Sequence, residues 1–520
     1  MKYKFQLTLQ HIFWRVENLY KDQEIVWRNY EGKIERYTYL EFAKRSRKLA
    51  SFFNSLGLKV GDRIATLEWN TRSHLEAYMA STIIGLVLHI INVRFHPSEI
   101  EYVIKHFGDK YLLASPEFSN IANELKSRGV LKDAFILDKE FDKIIESQDP
   151  IKELPMIDED YDAIACYTSG TTGKPKGIVY THRTTYLNSL NLLLKDVVGI
   201  TKSDTVLVVV PMFHINGWNF PFASLMIGAK LVLPGPRPKS KDLAELIQKE
   251  KVTIAAGAPT VWIDFLDFIE RENYDISSLK IVVTGGAEPP RAIAEKFRKY
   301  GVKLIHAWGM TETEAIASIN NTDDLDQITK QGIPVPGIEM KLMSIEGENE
   351  LPWDGKTVGE LWVSGAWVAS EYYNDIEKTK EAFRLRENKI WLRTGDLVTI
   401  DEKGYIKVVD RLKDIIKSGG EWISSIDLEN AIASHPKVLE AAVVGVKDER
   451  WGERPIALVV PKKEYRGILT EKEIVDYLIS LNRFPKWWIP DKIIFVEEIP
   501  KTSTGKIDKK LIRDMYGKKK

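Results

Sequence analysis

Through the first four-fifths of the chain, short apolar runs alternate with stretches in which apolar residues recur every three or four positions. Runs at 205–210, 230–233, 253–256, 280–284 and 303–306 predict buried strands, since each is short, rich in β-branched residues and flanked by polar positions. The periodic stretches at 39–56, 241–250 and 290–300 predict helices, the last stopped by Gly301. Such alternation predicts α/β architecture with a largely parallel sheet. Beyond Trp353 the pattern changes. Segments 359–365 and 396–409, the latter with a turn at 401–404, predict antiparallel hairpins. From about 411 a helix (427–434), a strand (439–445), a second helix (471–481) and a second strand (492–497) fit a small α+β domain. The expected division is therefore 1–410 and 411–520.

Length agrees with this division, because 520 residues exceed one compact core. Lys and Arg (74) balance Asp and Glu (74), so bulk charge favours neither nucleic acid nor an anionic membrane as partner. The single cysteine, Cys166, excludes an intrachain disulfide and lends secretion no support. The first six residues lack the apolar stretch of a signal peptide, and the longest apolar run, 83–93, contains His89 and is too short to span a bilayer. The nine histidines lack metal-ligand spacing, so zinc is not expected. A cytoplasmic enzyme without stable membrane insertion is the expectation.

The sharpest local signal is Tyr167-Thr-Ser-Gly-Thr-Thr-Gly-Lys-Pro-Lys-Gly177. Its glycines permit tight turns that present N–H groups, while its hydroxyls and lysines suit a polyphosphate. It is not a Walker A loop, since Pro175 stands where the second glycine should be. Further along stand Pro211-Met-Phe-His-Ile-Asn-Gly-Trp218, Gly285-Gly-Ala-Glu-Pro289, Trp308-Gly-Met-Thr-Glu-Thr313, Arg393-Thr-Gly-Asp396, Asp410-Arg-Leu-Lys-Asp414 and Pro500-Lys-Thr-Ser-Thr-Gly-Lys506. In this order the seven strings resemble the motifs of the adenylate-forming superfamily, which includes acyl-CoA synthetases, luciferases and peptide-synthetase adenylation domains. Residues 1–166 resemble its N-terminal region less distinctively.

The resemblance implies a fold and a reaction. The fold is a large N-terminal domain of α/β subdomains plus a β-barrel-like subdomain, followed by a small mobile α+β C-terminal domain hinged near Lys413. The reaction joins a carboxylic acid to ATP as acyl-AMP and transfers the acyl group to CoA, with Mg²⁺ as cofactor. A protein doing this must neutralise phosphate charge, hold the metal and align the carboxylate with the α-phosphorus. Thr168 and Glu312 are implied as metal ligands, a hard carboxylate oxygen suiting Mg²⁺. Thr168, Ser169, Gly170, Thr171, Thr172, Lys176 and Thr311 are implied at the phosphates. Gly286, Ala287, His306, Ala307 and Trp308 are implied around the rest of the nucleotide. Asp396 would accept the ribose hydroxyls, with Arg411 and Lys413 nearby.

Lys506 and His214 join Glu312 as the implied catalytic residues, Lys506 stabilising charge as the anhydride forms. Trp218 resembles the gate of long-chain fatty acyl-CoA synthetases, with Val261 and Gly309 beside it in the acyl pocket. Gly257, Ala258, Gly285, Gly286 and Gly309 would leave room beyond a two-carbon acid. Lys417, Gly419 and Trp422 are implied at CoA, and the uninterrupted run 410–424 lacks the insertion usual in acyl-AMP ligases. The substrate expected is a medium- or long-chain fatty acid. The alternatives are a short or hydroxylated acid, a non-CoA acceptor, or a nucleotide-binding protein without catalysis. Relatives in this superfamily also include dimers built through the N-terminal domain.

Overall fold

The structure is a computed structural model, and it describes residues 4–168, 174–501 and 507–517. The chain divides into two compact units: residues 1–170, 174–339 and 363–392 form the first, and 171–173, 340–362 and 393–520 the second.

The first unit is built on two sheets. The larger has nine strands in the order Ile333–Pro334, Ser318–Asn320, Lys303–Trp308, Ile281–Gly285, Ile254–Gly257, Thr205–Val208, Lys230–Leu233, Glu24–Arg28 and Ile34–Thr38. The six strands from Lys303–Trp308 to Glu24–Arg28 run parallel. The two strands at one edge and the one at the other each pair antiparallel with the strand before them. The smaller sheet orders Asp133–Ile136, Tyr111–Ala114, Arg63–Leu67, Val87–Ile90, Asp162–Thr168 and Lys176–Thr181, with the last alone antiparallel.

The central strands read as continuous apolar runs because both of their faces are covered. Helices Ser240–Glu250, Pro259–Ile269 and Arg291–Lys299 lay Leu243, Ile247, Trp262, Phe265 and Phe297 on the larger sheet, all buried. Helix starts follow local chemistry: Thr38 accepts from the Glu41 N–H while the Glu41 carboxylate accepts from the Thr38 N–H, closing a capping box before Tyr39–Ser55.

All five expected strands and three expected helices are present, with ends displaced by a few residues. The strands between 338 and 411 join a five-stranded sheet that does not close on itself, so the barrel-like piece expected there is an open sheet. Its hairpin Lys389–Ile400 with Ile406–Arg411 turns at Gly404, whose φ of +83° and N–H bond to Asp401 close the loop.

In the second unit, Gly452–Pro461 pairs with Val438–Asp448 on one side and with Ile416–Ser418 and Lys492–Phe495 on the other. Helices Ser425–Ala433 and Glu471–Ser480 cover it through Leu428, Ile432, Ile474 and Leu478. The final helix, Lys509–Tyr516, is fixed by charge. Lys509 lies 2.9 Å from Glu429 and donates to Ser425, while Ser425 donates to Asp410 at 2.6 Å. Burial disfavours the Lys509 charge, yet Glu429, Asp410 and Asp414 together hold its pKa above the usual value. Arg513 pairs with Asp414 at 2.8 Å. Among the described residues no helix is long and apolar enough to cross a membrane.

Candidate active site

Antiparallel pairing sets Thr168, at the end of Asp162–Thr168, opposite Lys176, at the start of the next strand. The intervening Ser169, Gly170, Thr171 and Thr172 lie outside the described residues. Thr168 Oγ1 is buried with no partner among the described residues. Lys176 sits 4.1 Å from the centroid of the Tyr372 ring. Burial lowers its pKa, and Glu312 partly offsets this.

Glu312 occupies the short turn Thr311–Thr313 and is 5% exposed. Its Oε1 accepts from the Tyr372 hydroxyl at 2.6 Å, and its main-chain oxygen accepts from Ala369 N–H at 2.8 Å. Tyr180 donates to Thr311 O at 2.6 Å. Lys176, Thr311 and Glu312 thus gather around two tyrosines, with Thr168 paired across the strands from Lys176. An unpartnered hydroxyl, a held carboxylate and a lysine suit a Mg²⁺-bound polyphosphate, since Mg²⁺ takes one or two protein oxygens and fills its shell from waters and phosphates. Among the described residues no group of three or more His, Cys, Asp or Glu converges as a closed metal cage. Cys166 lies 3.4 Å from the Tyr180 hydroxyl, and burial pushes its thiol up to about 12, a structural rather than nucleophilic thiol.

Gly286 and Ala287 stand exposed immediately after strand Ile281–Gly285. His306, Ala307 and Trp308 end the neighbouring parallel strand, with Thr284 opposite His306 and Gly285 opposite Ala307. Carboxyl ends of parallel strands are where open α/β sheets take ligands. The His306 ring is engaged within the fold, its Nδ1 2.8 Å from Lys330 O.

Trp218 lies on a turn of unusual hand. Ile215, Asn216, Gly217, Trp218 and Asn219 all have φ between +39° and +59°. Each of the four with a Cβ costs about 1–2 kcal/mol relative to right-handed backbone. This geometry carries the Trp218 ring to Gly285, where an added Cβ would lie 3.2 Å from the indole and 2.5 Å from Ala307 O. His214 is half-buried at the start of the turn, its N–H bonded to Pro211 O. Val261 is half-buried in helix Pro259–Ile269.

Three of the four glycines expected to leave open room, Gly257, Gly285 and Gly309, are instead sites of close approach. A Cβ on Gly309 would lie 1.2 Å from Ala315 O, and one on Gly257 would lie 3.0 Å from the Trp262 indole, whose N–H donates to Gly257 O at 2.9 Å.

In the second unit, the hairpin pairs Asp396 directly with Arg411, and Arg411 Nε lies 2.7 Å from the carboxylate. Asp396 is 3% exposed. Arg393, of the same motif, bonds Glu360 at 2.7 Å. Burial lowers the Lys413 pKa, aided by Arg411 and Arg513 and opposed by Asp414 and Asp396. Lys417 and Trp422 face each other across a hairpin joined by Gly419 and Gly420, with φ of +62° and +85°. A two-residue turn with both φ positive calls for this dipeptide, and a Cβ at Gly419 would lie 2.8 Å from the Trp451 ring. Lys506 lies outside the described residues.

Motif reading alone missed Tyr372, which holds Glu312 from a position 60 residues further along the chain. It also missed Asn219 and Glu314, which hydrogen-bond across 95 residues. No spacing rule signals either pair.

Two family models match the chain: the AMP-binding enzyme over residues 13–373 and the AMP-binding enzyme C-terminal domain over 427–506. The chain is 40% identical to a long-chain-fatty-acid–CoA ligase of Thermus thermophilus, with 98% of this chain and 96% of that protein covered. It is 38% identical to a 3-methylmercaptopropionyl-CoA ligase of Ruegeria lacuscaerulensis (95% and 94% covered). It is also 38% identical to a medium-chain-fatty-acid–CoA ligase of Ectopseudomonas oleovorans (98% and 96% covered). Among solved structures, the anthranilate CoA ligase AuaEII in complex with anthranoyl-AMP superposes with a TM-score of 0.87 at 25% identity, over 99% of this chain and 98% of that one.

Proposed function

The chain belongs to the AMP-binding enzyme family and is an AMP-forming acyl-CoA synthetase with ATP and CoA as co-substrates, and from that premise we propose that its acid is a medium- or long-chain fatty acid. The observation that carries this reading is Trp218, held on a left-handed turn with its ring against Gly285 at the carboxyl end of the parallel strands. A large apolar side chain there suits an alkyl chain better than a small polar acid. The two fatty-acid ligases of 40% and 38% identity support it.

The proposed chemistry has two steps. The acid carboxylate attacks the α-phosphorus of ATP and pyrophosphate leaves. The CoA thiolate then attacks the acyl carbon and AMP leaves. Mg²⁺, when bound, neutralises phosphate charge, and Thr168 and Glu312 are its proposed ligands. Lys176 and Thr311, with Ser169, Gly170, Thr171 and Thr172, take the phosphates. Gly286, Ala287, His306, Ala307 and Trp308 surround the nucleotide base, and Asp396 and Arg411 take the ribose. Lys506 stabilises the charge that develops as the anhydride forms, and His214 lies beside the reacting carboxylate. Val261 and Gly309 border the acyl group near Trp218. Lys417, Gly419 and Trp422 meet CoA after residues 411–520 rotate about Lys413. The enzyme works in the cytoplasm, and a homodimer through the N-terminal domain completes the proposal.

A second reading, a short acid, is favoured by the 38% identical 3-methylmercaptopropionyl-CoA ligase. One assay separates the two. The protein is incubated with ATP, Mg²⁺, CoA and acids from two to eighteen carbons, and AMP and thioester are followed. The expected result is AMP, not ADP, with kcat/KM highest for medium or long chains. A maximum at two to four carbons overturns the fatty-acid reading. AMP without thioester overturns CoA as acceptor.

A further inference from the structure

A left-handed run such as Ile215–Asn219 persists only where its surroundings hold it. The hold here is polar. Asn219 Nδ2 donates to Glu314 Oε1 at 3.2 Å, and both residues are wholly buried. Glu314 is itself left-handed, at φ +46°, followed by Ala315 at +83°. Asn188, from helix His182–Asn191, donates to the Glu314 main-chain oxygen, and Thr185 and Thr184 of the same helix face its carboxyl. Two strained pieces of backbone, one bearing Trp218 and the other following Glu312 by two residues, are therefore joined through the Asn219–Glu314 side-chain bond. Around it, both amide atoms of Asn216 and the Oδ1 atoms of Asn188 and Asn219 are buried with no partner among the described residues. An underpaired polar pocket of this kind leaves Asn219–Glu314 as the bond that fixes the position of Asn219 in the turn.

We propose that Glu314 is a positioning residue for acid selection: through Asn219 it fixes the left-handed turn that presents Trp218 to Gly285, and so sets which acids the enzyme accepts. The inference rests on the assignment of Trp218 to the acyl site made above. Glu314 meets Asn219 through one accepting oxygen, and a glutamine in its place keeps an acceptor oxygen of the same reach. Nothing in the proposed chemistry uses Glu314 directly.

The test compares the wild type with Glu314→Leu, Glu314→Gln, Asn219→Gly and Trp218→Ala. Asn219→Gly keeps a residue at ease with positive φ while deleting the donor. Readouts are kcat and KM for acids from two to eighteen carbons, the KM for ATP, and the Tm. The expected result is that Glu314→Leu and Asn219→Gly change the ratio of kcat/KM between a long and a medium acid by about five-fold or more, with the ATP KM within about two-fold of wild type. Glu314→Gln, which keeps the acceptor oxygen, retains the wild-type ratio. A merely structural role would lower the Tm and leave the ratio alone. Should Glu314→Leu fail to fold, Asn219→Gly decides by the same criterion. If Trp218→Ala shifts the ratio and the other variants do not, the inference alone is overturned. If Trp218→Ala also leaves the ratio unchanged, the acyl-site assignment falls and the inference falls with it.

Discussion

Replacing Tyr372 by Phe removes one atom from the site and isolates the hold on Glu312. The Tyr372 hydroxyl donates to Glu312 Oε1 at 2.6 Å, and the tyrosine is 4% exposed. Burial and the neighbouring Glu312 carboxylate push the phenol far above its ordinary pKa, so it remains a donor throughout the working pH range. A hydrogen bond to a charged group contributes about 1.5–3 kcal/mol, which at about 1.4 kcal/mol per decade corresponds to roughly 10- to 150-fold in rate or affinity. The ring face that Lys176 approaches at 4.1 Å is retained in Phe, so the lysine keeps its place. Adenylation is followed by trapping the acyl-adenylate with hydroxylamine while Mg²⁺ and ATP are varied. Thioester formation from supplied acyl-AMP is measured separately. The expected outcome is a fall in kcat/KM for Mg²⁺-ATP of about ten-fold or more, with the second half-reaction within about two-fold of wild type. An unchanged adenylation rate at an unchanged Tm would refute the reasoning, as would an equal loss in both half-reactions.

Lys506→Ala is expected to lose adenylation by about a hundred-fold or more while thioester formation from supplied acyl-AMP is much less affected; comparable losses in both steps would remove the two-conformation mechanism. Glu68 is fully buried and accepts from Tyr30 at 2.5 Å, and burial pushes its carboxyl up to about 8. A carboxyl raised above its unfolded value stabilises the fold fully below the unfolded pKa, and that contribution is lost as pH rises through the folded one. Between pH 5 and 8.5 the wild type should therefore lose stability relative to Glu68→Gln, by a difference on the order of 4 kcal/mol. Parallel denaturant curves at the two pH values would contradict this. Lys509→Met leaves Glu429 and Asp410 without their buried cation and should cost about 3–5 kcal/mol, read as loss of protection from proteolysis in residues 411–517; an unchanged protease pattern and Tm would speak against a pinned final helix.

Strands such as 280–284 and 303–306 were legible in the sequence because burial on both faces leaves an uninterrupted apolar signature. Helices with one buried face, such as Tyr39–Ser55, were legible through period and cap. The small sheet of the first unit was less so. Its strand Asp133–Ile136 is half-buried at an edge, and four residues are too few to be told from a helical segment by period. Gly452–Pro461 begins with four residues of mixed polarity, although its second half is buried. In the site, Glu312, Asp396 and Arg411 could be named because they fall within ordered motifs. Tyr372, Asn219 and Glu314 could not, because each acts through a partner that only the folded chain brings near. The glycines misled in a specific way. Gly309 and Gly257 suggested empty space, whereas a carbonyl already occupies the place of a Gly309 side chain and an indole lies tight against that of Gly257.

At the margin of the nine-stranded sheet, the outermost strand is two residues long and ends in Pro334, which has no N–H to offer. The opposite margin, Ile34–Thr38, presents Glu35 and Arg36 outward, both exposed. Open sheet margins are templates on which further chains can add. Brevity and proline at one end, and paired charge at the other, make both ends poor templates. A self-association that extended this sheet from copy to copy is thereby disfavoured. The same two margins should keep a concentrated solution from growing strand-linked aggregates through this sheet.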